Sequence, residues 1–181
     1  MNTATQNHFE LFGLPVSYEV DQLKLAEHYR ELQRTVHPDK FASAPDQERQ
    51  LSVRMAAQIN DAFQTLKSPI LRARYLLEMR GMRFDEQRSS PLEPAFLMEQ
   101  MELREALAEI PHTDDGLLKL GALQDDIRAR VKQLSNELIE LFKDSSDQAM
   151  TRATANMHKL QFMDKLQQEA ENVEEDIANG L

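Results

Sequence analysis

The chain has 181 residues and a formal net charge of -10, with 41% hydrophobic and 29% charged residues. That much apolar side chain supports packed cores and excludes a disordered chain. The absence of cysteine excludes disulfides and cysteine-held zinc or iron–sulfur centres built from this chain alone. Five glycines and seven prolines among many good helix formers predict an all-α protein.

The acidic excess lies wholly in the second half of the chain. Residues 1–90 hold 12 basic and 12 acidic side chains, so by difference from the totals of 21 and 31, residues 91–181 hold 9 and 19. This half is a poor nucleic-acid surface, because phosphate binding needs clustered lysine and arginine. We expect two domains, at residues 1–80 and 90–181, with a linker at residues 81–89 and no nucleic-acid partner.

The sequence also argues against export and against a membrane partner. Residues 1–7 have neither the basic nor the apolar segment of a signal peptide. No apolar run approaches the roughly 20 residues that span a bilayer. We therefore expect a cytoplasmic protein.

The chain opens with two predicted helices. A brief apolar segment at residues 9–14 forms the first. Asp21 is placed to cap the second, which carries apolar side chains at helical spacing. This helix must end near His37, because Pro38 disfavours helix at the residue before it.

Two more helices complete the first half. The third follows a loop at residues 38–44, with Ser43 and Asp46 at the spacing of a capping box. Its predicted apolar stripe is Leu51, Met55, Ile59, Phe63 and Leu66. Ser68 and Pro69 then open a fourth, short helix that ends before Gly81.

The second half predicts an antiparallel three-helix bundle. Ser90, Pro91 and Glu93 supply a cap, a first-turn proline and a capping-box acid for a helix that runs to Ile110. Two longer helices follow at about residues 114–143 and 147–179. Short polar connections between such helices favour antiparallel packing.

One tripeptide joins the second and third helices at the predicted tip of a helical hairpin. Taken alone, His37-Pro38-Asp39 could be an ordinary turn, in which proline ends one helix and aspartate caps the next. The residues around it favour a functional role for the tripeptide. They are Tyr29-Arg30, Lys40, Phe41 and the segment Ile59-Asn60-Asp61-Ala62-Phe63. With them, residues 9–79 resemble the J-domain family.

That resemblance implies binding to a partner ATPase. In J-domains the second helix and the His-Pro-Asp loop dock on a DnaK-class chaperone and accelerate its ATP hydrolysis. The residues that fall in this surface are His37, Pro38, Asp39, Lys40, Arg30 and Arg34. For the two arginines the alternative is a merely solvated surface, which is what most exposed charges form.

The second half narrows the family. General J-domain chaperones carry a Gly/Phe-rich segment and cysteine-based zinc modules, and this chain has neither. Residues 95–105 (AFLMEQMELRE), 159–166 (KLQFMDKL) and 9–15 (FELFGLP) resemble the HscB-type iron–sulfur cluster co-chaperones. The resemblance implies two partners, an HscA-type ATPase and the IscU-type scaffold protein. The uncharged segment at residues 89–92 departs from the family, which often carries a basic residue there.

A surplus apolar face is predicted on the first helix of the bundle. The stripe Phe96, Leu103, Leu107 and Ile110 can serve the bundle core, which leaves Leu97, Met98 and Met101 on an adjoining face rimmed by Glu102 and Glu105. Such a face is typical of a protein-binding surface. The resemblance assigns it to the scaffold protein, with Phe162 contributing from the last helix. The alternative for the four apolar residues is ordinary burial, either in a broad core or against the first domain.

No catalytic constellation is visible. The histidines lack metal spacing, and no nucleophile with a base or phosphate loop is present, so we expect neither an enzyme nor a bound cofactor. We expect a co-chaperone that activates an HscA/DnaK-class ATPase and delivers an IscU-type scaffold to it. The alternatives are a J-domain protein for another client, or a structural helical protein in which His-Pro-Asp is only a turn.

Overall fold

The computed structural model describes residues 6–83, 93–113 and 115–179. Every regular element in these ranges is helical, which confirms the predicted all-α class. Of the described helices, none is long and apolar enough to cross a membrane. The chain divides into two compact units, Met1–Met79 and Arg80–Leu181. Most of the predicted linker at residues 81–89, and the segment around Leu92, lie outside the described residues.

Within residues 6–79, the first unit contains four α-helices and one 3₁₀ turn. The helices are α1 (His8–Leu11), α2 (Gln22–Val36), α3 (Asp46–Lys67) and α4 (Pro69–Met79), and the turn is Pro38–Phe41. Helices α2 and α3 pack against each other. Tyr29 reaches Asn60, whereas Gln33, one turn later, reaches Ala56. The later residue of α2 thus contacts the earlier residue of α3, so the two helices are antiparallel and form the predicted hairpin.

Two of the predicted helix caps are present. The Asp21 carboxylate accepts from the backbone N–H groups of Leu23 and Lys24, and so satisfies two donors that have no partner within α2. The Ser68 hydroxyl accepts from the N–H of Leu71 at 3.3 Å. Gly81 follows α4 with a φ of +85°, a conformation that glycine adopts without strain.

Two other predicted caps are wrong, and both errors have the same cause. Helix α3 starts after Pro45, with no side-chain cap, so Ser43 does not serve. The first helix of the second unit, α5 (Pro94–Glu109), has Glu93 before it in an extended conformation, so Glu93 does not act as a capping-box acid. The predicted Ser90 cap and Pro91 lie outside the described residues. A proline disfavours helix at the residue before it, which prevents an earlier start.

The core of the first unit is made by all four helices, and its fully buried members include Phe9, Leu25, Leu66 and Leu77. The predicted stripe of α3 is wrong in its first half, because Leu51 and Met55 are exposed. The buried face of α3 instead passes through Ser52, Ile59, Ala62 and Leu66. Helix α3 is thus covered on a face offset from the predicted one.

The second unit is a three-helix bundle of α5 (Pro94–Glu109), α6 (Gly116–Leu141) and α7 (Asp147–Asn179). Helices α6 and α7 pack along their lengths, and α5 contacts both. A 3₁₀ turn at Ile110–His112 joins α5 to α6. Gly116 is needed at this junction, because a Cβ atom there would lie 2.8 Å from the carbonyl oxygen of Ile110.

Candidate functional site

The tip of the α2–α3 hairpin presents the predicted tripeptide in an ordered turn. His37 ends α2, with φ −57° and ψ 127°. Its Nδ1 accepts from the backbone N–H of Asp39 at 3.3 Å, and its carbonyl oxygen accepts from the N–H of Lys40 at 3.0 Å. Pro38 takes the first position of the 3₁₀ turn. Since Nδ1 is an acceptor in this geometry, the neutral ring carries its proton on Nε2.

The polar side chains of this turn face solvent. The side chains of His37 and Asp39 are 53% and 91% exposed, and His37 Nδ1 lies 3.6 Å from Asp39 Oδ2. Lys40 is exposed beside them. Both the ring Nε2–H and the Asp39 carboxylate can therefore reach a partner protein without a change in the fold.

A row of basic side chains leads along α2 to this tip. Arg30, Arg34 and His37 follow at spacings of four and three, so they lie on one side of the helix. Both arginines are exposed, and Arg30 Nε donates to the carbonyl oxygen of Ala26 at 3.2 Å. The row can meet an acidic surface, although exposed glutamates on α2 weaken its field.

Tyr29 packs the hairpin rather than facing a partner. Its ring stacks on that of Phe63 with centroids 4.0 Å apart, and its hydroxyl donates to Asn60 Oδ1 at 3.2 Å. These contacts join α2 to α3 two turns below the tip. They hold the His37 turn on a rigid support.

Helix α5 in the second unit has two distinct faces. Of the predicted core stripe, Phe96, Leu107 and Ile110 are buried and Leu103 is half-buried. On the other side Leu97, Met98 and Met101 are 46%, 64% and 63% exposed, with Glu102 and Glu105 exposed beside them. We call these last five residues the outer face of α5. Its three apolar side chains therefore take no part in the core of the bundle.

Phe162 differs from the outer face, because it is only 8% exposed. Its ring meets that of Phe96 edge-on, with centroids 5.7 Å apart and an interplanar angle of 87°. For this residue the structure favours the alternative of burial. Phe162 therefore lies in the core of the bundle beside Phe96 and not on the outer face.

Two cations cover this aromatic pair, and sequence reasoning missed both. Lys159 Nζ lies 5.4 Å from the Phe96 ring centroid and 3.2 Å from Glu93 Oε2. The Arg104 guanidinium lies 5.4 Å from the Phe162 ring centroid. Cation–π contacts stabilise such arrangements. Arg104 and Lys159 lie in the two segments that resemble the family, residues 95–105 and 159–166. No periodicity in the sequence indicates that their side chains cover aromatic rings.

His8 and His28, which lie outside the tip, make structural contacts. The His8 ring stacks on Tyr75 at 4.2 Å, and burial lowers its pKa while the Asp61 carboxylate opposes that shift. His28 Nδ1 donates to the carbonyl oxygen of Phe12 at 2.5 Å. Among the described residues, no group of three or more histidines and carboxylates could hold a metal ion.

Comparison with known proteins is consistent over nearly the whole chain. Residues 92–171 match a family model described as the HSCB C-terminal oligomerisation domain. A co-chaperone protein HscB homolog of Shewanella halifaxensis strain HAW-EB4 is 47% identical over 169 residues, covering 93% of this chain and 97% of the relative. One from Vibrio vulnificus strain YJ016 is 44% identical over 171 residues, covering 94% and 98%.

Solved structures agree with these sequence relatives. Chaperone HscB from Vibrio cholerae superposes with a TM-score of 0.85 at 39% identity, covering 94% of this chain and 99% of that one. The human co-chaperone protein HscB gives a TM-score of 0.84 at 26% identity, covering 94% and 83%.

Proposed function

This chain belongs to the family of HscB co-chaperones, and from that premise we propose that it links an IscU-type iron–sulfur scaffold protein to an HscA/DnaK-class ATPase. One unit binds each partner. The exposed apolar residues Leu97, Met98 and Met101 are the observation that carries the proposal. They give the bundle a protein-binding surface that its own core does not use.

The first unit supplies the proposed ATPase-binding surface. It consists of His37, Pro38, Asp39 and Lys40 at the tip, with Arg30 and Arg34 along α2. The hydrogen bond from Asp39 N–H to His37 Nδ1 supports this assignment. A turn that is already ordered loses little conformational entropy on docking, so more of the interaction energy appears as affinity.

The outer face of α5 is the proposed scaffold-binding surface. Its methionines suit an adaptable contact, because their unbranched side chains fit irregular surfaces. Glu102 and Glu105 make the rim acidic, which favours a scaffold surface with basic residues around an apolar centre. Phe162 supports this surface from the core of the bundle through its contact with Phe96.

The proposed action requires no bond-making by this chain. Holding scaffold and ATPase together raises the local concentration of each for the other, and ATP hydrolysis stays in the partner. We place this action in the cytoplasm, where a chain without cysteine loses nothing under reducing conditions.

The test separates the two surfaces. Steady-state ATP hydrolysis by HscA is measured with and without IscU, and IscU binding is measured by calorimetry. His37→Gln should abolish the stimulation by the co-chaperone while IscU binds normally. Leu97→Ala with Met101→Ala should weaken IscU binding by about tenfold or more, because truncated apolar anchors at an interface each cost on the order of 1 kcal/mol.

Leu117→Ala with Leu118→Ala is the matched control, since both leucines are exposed on the same bundle but lie on α6. It should leave both measurements unchanged. Undiminished stimulation by His37→Gln would show that the tripeptide is only a turn. Normal IscU binding by the Leu97 and Met101 double variant would instead point to a different client or a different surface.

A further inference from the structure

The outer face of α5 contains the two most exposed methionines among the described residues. Met98 and Met101 are 64% and 63% exposed, and a spacing of three places them on one side of α5. Other methionines differ sharply in exposure. Met150, Met157 and Met163 are buried in the bundle core, and Met55 and Met79 are partly exposed in the first unit.

These two thioethers are the most solvent-accessible sulfur atoms in the described part of the chain. The chain has nine methionines and no cysteine. Thiolates would otherwise consume a mild oxidant first. Susceptibility to oxidation follows solvent access, so the exposed methionines react before the buried ones.

We propose that Met98 and Met101 form a reversible oxidation site through which a two-electron oxidant such as hydrogen peroxide blocks client binding. A thioether lone pair attacks one peroxide oxygen, the O–O bond breaks and an S–O bond forms. The proton of the attacked oxygen passes to the departing hydroxide, which leaves as water. The sulfur loses two electrons, the peroxide gains two, and a methionine sulfoxide remains, which thiol-dependent reductases can reverse.

The structure explains why this modification would affect docking and leave the fold intact. In the free protein both sulfoxide groups stay hydrated, because the side chains face solvent. In a docked complex they would be buried, and a buried polar group without a hydrogen bond is costly. Glu102 and Glu105 beside the two methionines offer only carboxylate acceptors, so they cannot donate to a sulfoxide oxygen. The nearby Arg104 guanidinium already pairs with Glu169 and lies over the Phe162 ring.

The inference rests on the proposed scaffold-binding function, and the experiment tests the two separately. The full chain is treated with increasing hydrogen peroxide, and each methionine-containing peptide is quantified by mass spectrometry. At each step IscU binding is measured by calorimetry and the thermal unfolding of the chain by circular dichroism. We expect Met98 and Met101 to oxidise well before Met150, Met157 and Met163.

At that stage IscU binding should weaken by about tenfold or more, with the melting temperature unchanged. Methionine sulfoxide reductase with a thiol reductant should restore binding. For the variant Met98→Leu with Met101→Leu, the Kd for IscU is measured before and after peroxide treatment. The ratio of the two Kd values should be close to one. Met55→Leu with Met79→Leu is the matched control, and it should stay as sensitive as the wild type.

Three results would overturn the site. In the first, Met98 and Met101 oxidise no faster than Met150 and Met157. In the second, the oxidised chain binds IscU as well as the untreated chain. In the third, peroxide weakens IscU binding by the Met98→Leu, Met101→Leu variant as much as by the wild type. Failure of the proposed function has a different signature. In that case the untreated protein would not bind IscU, so the proposed effect of oxidation on IscU binding would be refuted as well. The mass spectra would still show the order in which the methionines oxidise.

Discussion

The ring of Phe162 on α7 stands at 87° to that of Phe96 on α5, with the two centroids 5.7 Å apart. The family resemblance assigns both Phe162 and Leu97 to scaffold binding, but their surroundings differ. Phe162 is buried, whereas Leu97 is exposed. Substitution at these two positions should therefore have different physical effects.

Phe162→Ala should destabilise the bundle by about 3 kcal/mol, because it removes a buried ring and leaves a cavity. Leu97→Ala should cost less than about 1 kcal/mol, since its side chain is already half in water. Urea unfolding followed by far-UV circular dichroism measures both. Equal stability of the two variants would mean that Phe162 is not a core residue.

The two glycines of α6 should respond to alanine in opposite directions. Gly116→Ala places a Cβ atom 2.8 Å from the Ile110 carbonyl oxygen, so we expect a loss of about 1–3 kcal/mol. At Gly121 no atom lies within 4 Å of the new Cβ. Gly121→Ala should stabilise the chain by about 0.5–1 kcal/mol through helix propensity. Urea unfolding tests the pair, and destabilisation by both would contradict the argument.

Arg80 caps the end of α6. Its guanidinium donates to the carbonyl oxygens of Phe142 at 2.5 Å and Asp144 at 3.0 Å, and it lies over the Phe142 ring. Arg80→Met should cost about 1–2 kcal/mol, because charged donors to terminal carbonyls are among the stronger hydrogen bonds. The control Arg128→Met removes an exposed i, i+3 pair with Asp125 and should cost less than about 0.5 kcal/mol.

The stability of the first unit should fall in mild acid because of His8. Burial lowers the pKa of His8 in the folded chain below its ordinary value of about 6.5, so the unfolded chain binds a proton more readily. The stability contribution is complete above that value and is lost as the pH falls below it. His8→Gln should flatten this dependence, whereas Asp61→Asn should steepen it, because the Asp61 carboxylate partly raises the pKa.

Tyrosine fluorescence gives a readout specific to that unit, because the chain has no tryptophan and its three tyrosines are Tyr18, Tyr29 and Tyr75. Urea unfolding at pH 7.5 and pH 5.5 is compared between the wild type and the variants. Changes at the other histidines cancel in that comparison. A His8→Gln variant with the same loss between the two pH values as the wild type would exclude His8 as the cause.

The sequence predicted the elements that depend on local rules. Hydrophobic spacing and the caps at Asp21 and Ser68 located α2 and α4, and the position of the tripeptide between two amphipathic helices predicted its exposure. The errors at Pro45 and Pro94 were also local. Each predicted start contains a proline, which disfavours helix at the residue before it and so moves the helix boundary forward. This effect outweighs the capping-box pattern.

The remaining differences depend on tertiary packing, which no local pattern contains. Whether Leu51 or Ser52 faces the core of α3 is decided by the position of the neighbouring helices. The placement of Lys159 over Phe96 likewise requires α5 and α7 to be assembled first. The exposed side of α5 could be predicted because the surplus of apolar residues on one helix is a property of that helix alone.

The two faces of α5 also have a use in protein engineering. Phe96 and Leu107 anchor the helix from within, while Leu97, Met98 and Met101 take no part in the core. The exposed positions can therefore be exchanged as a block, as in a display library, on an unchanged scaffold. Such a library would present new side chains at these three positions while the core contacts of α5 stay as they are.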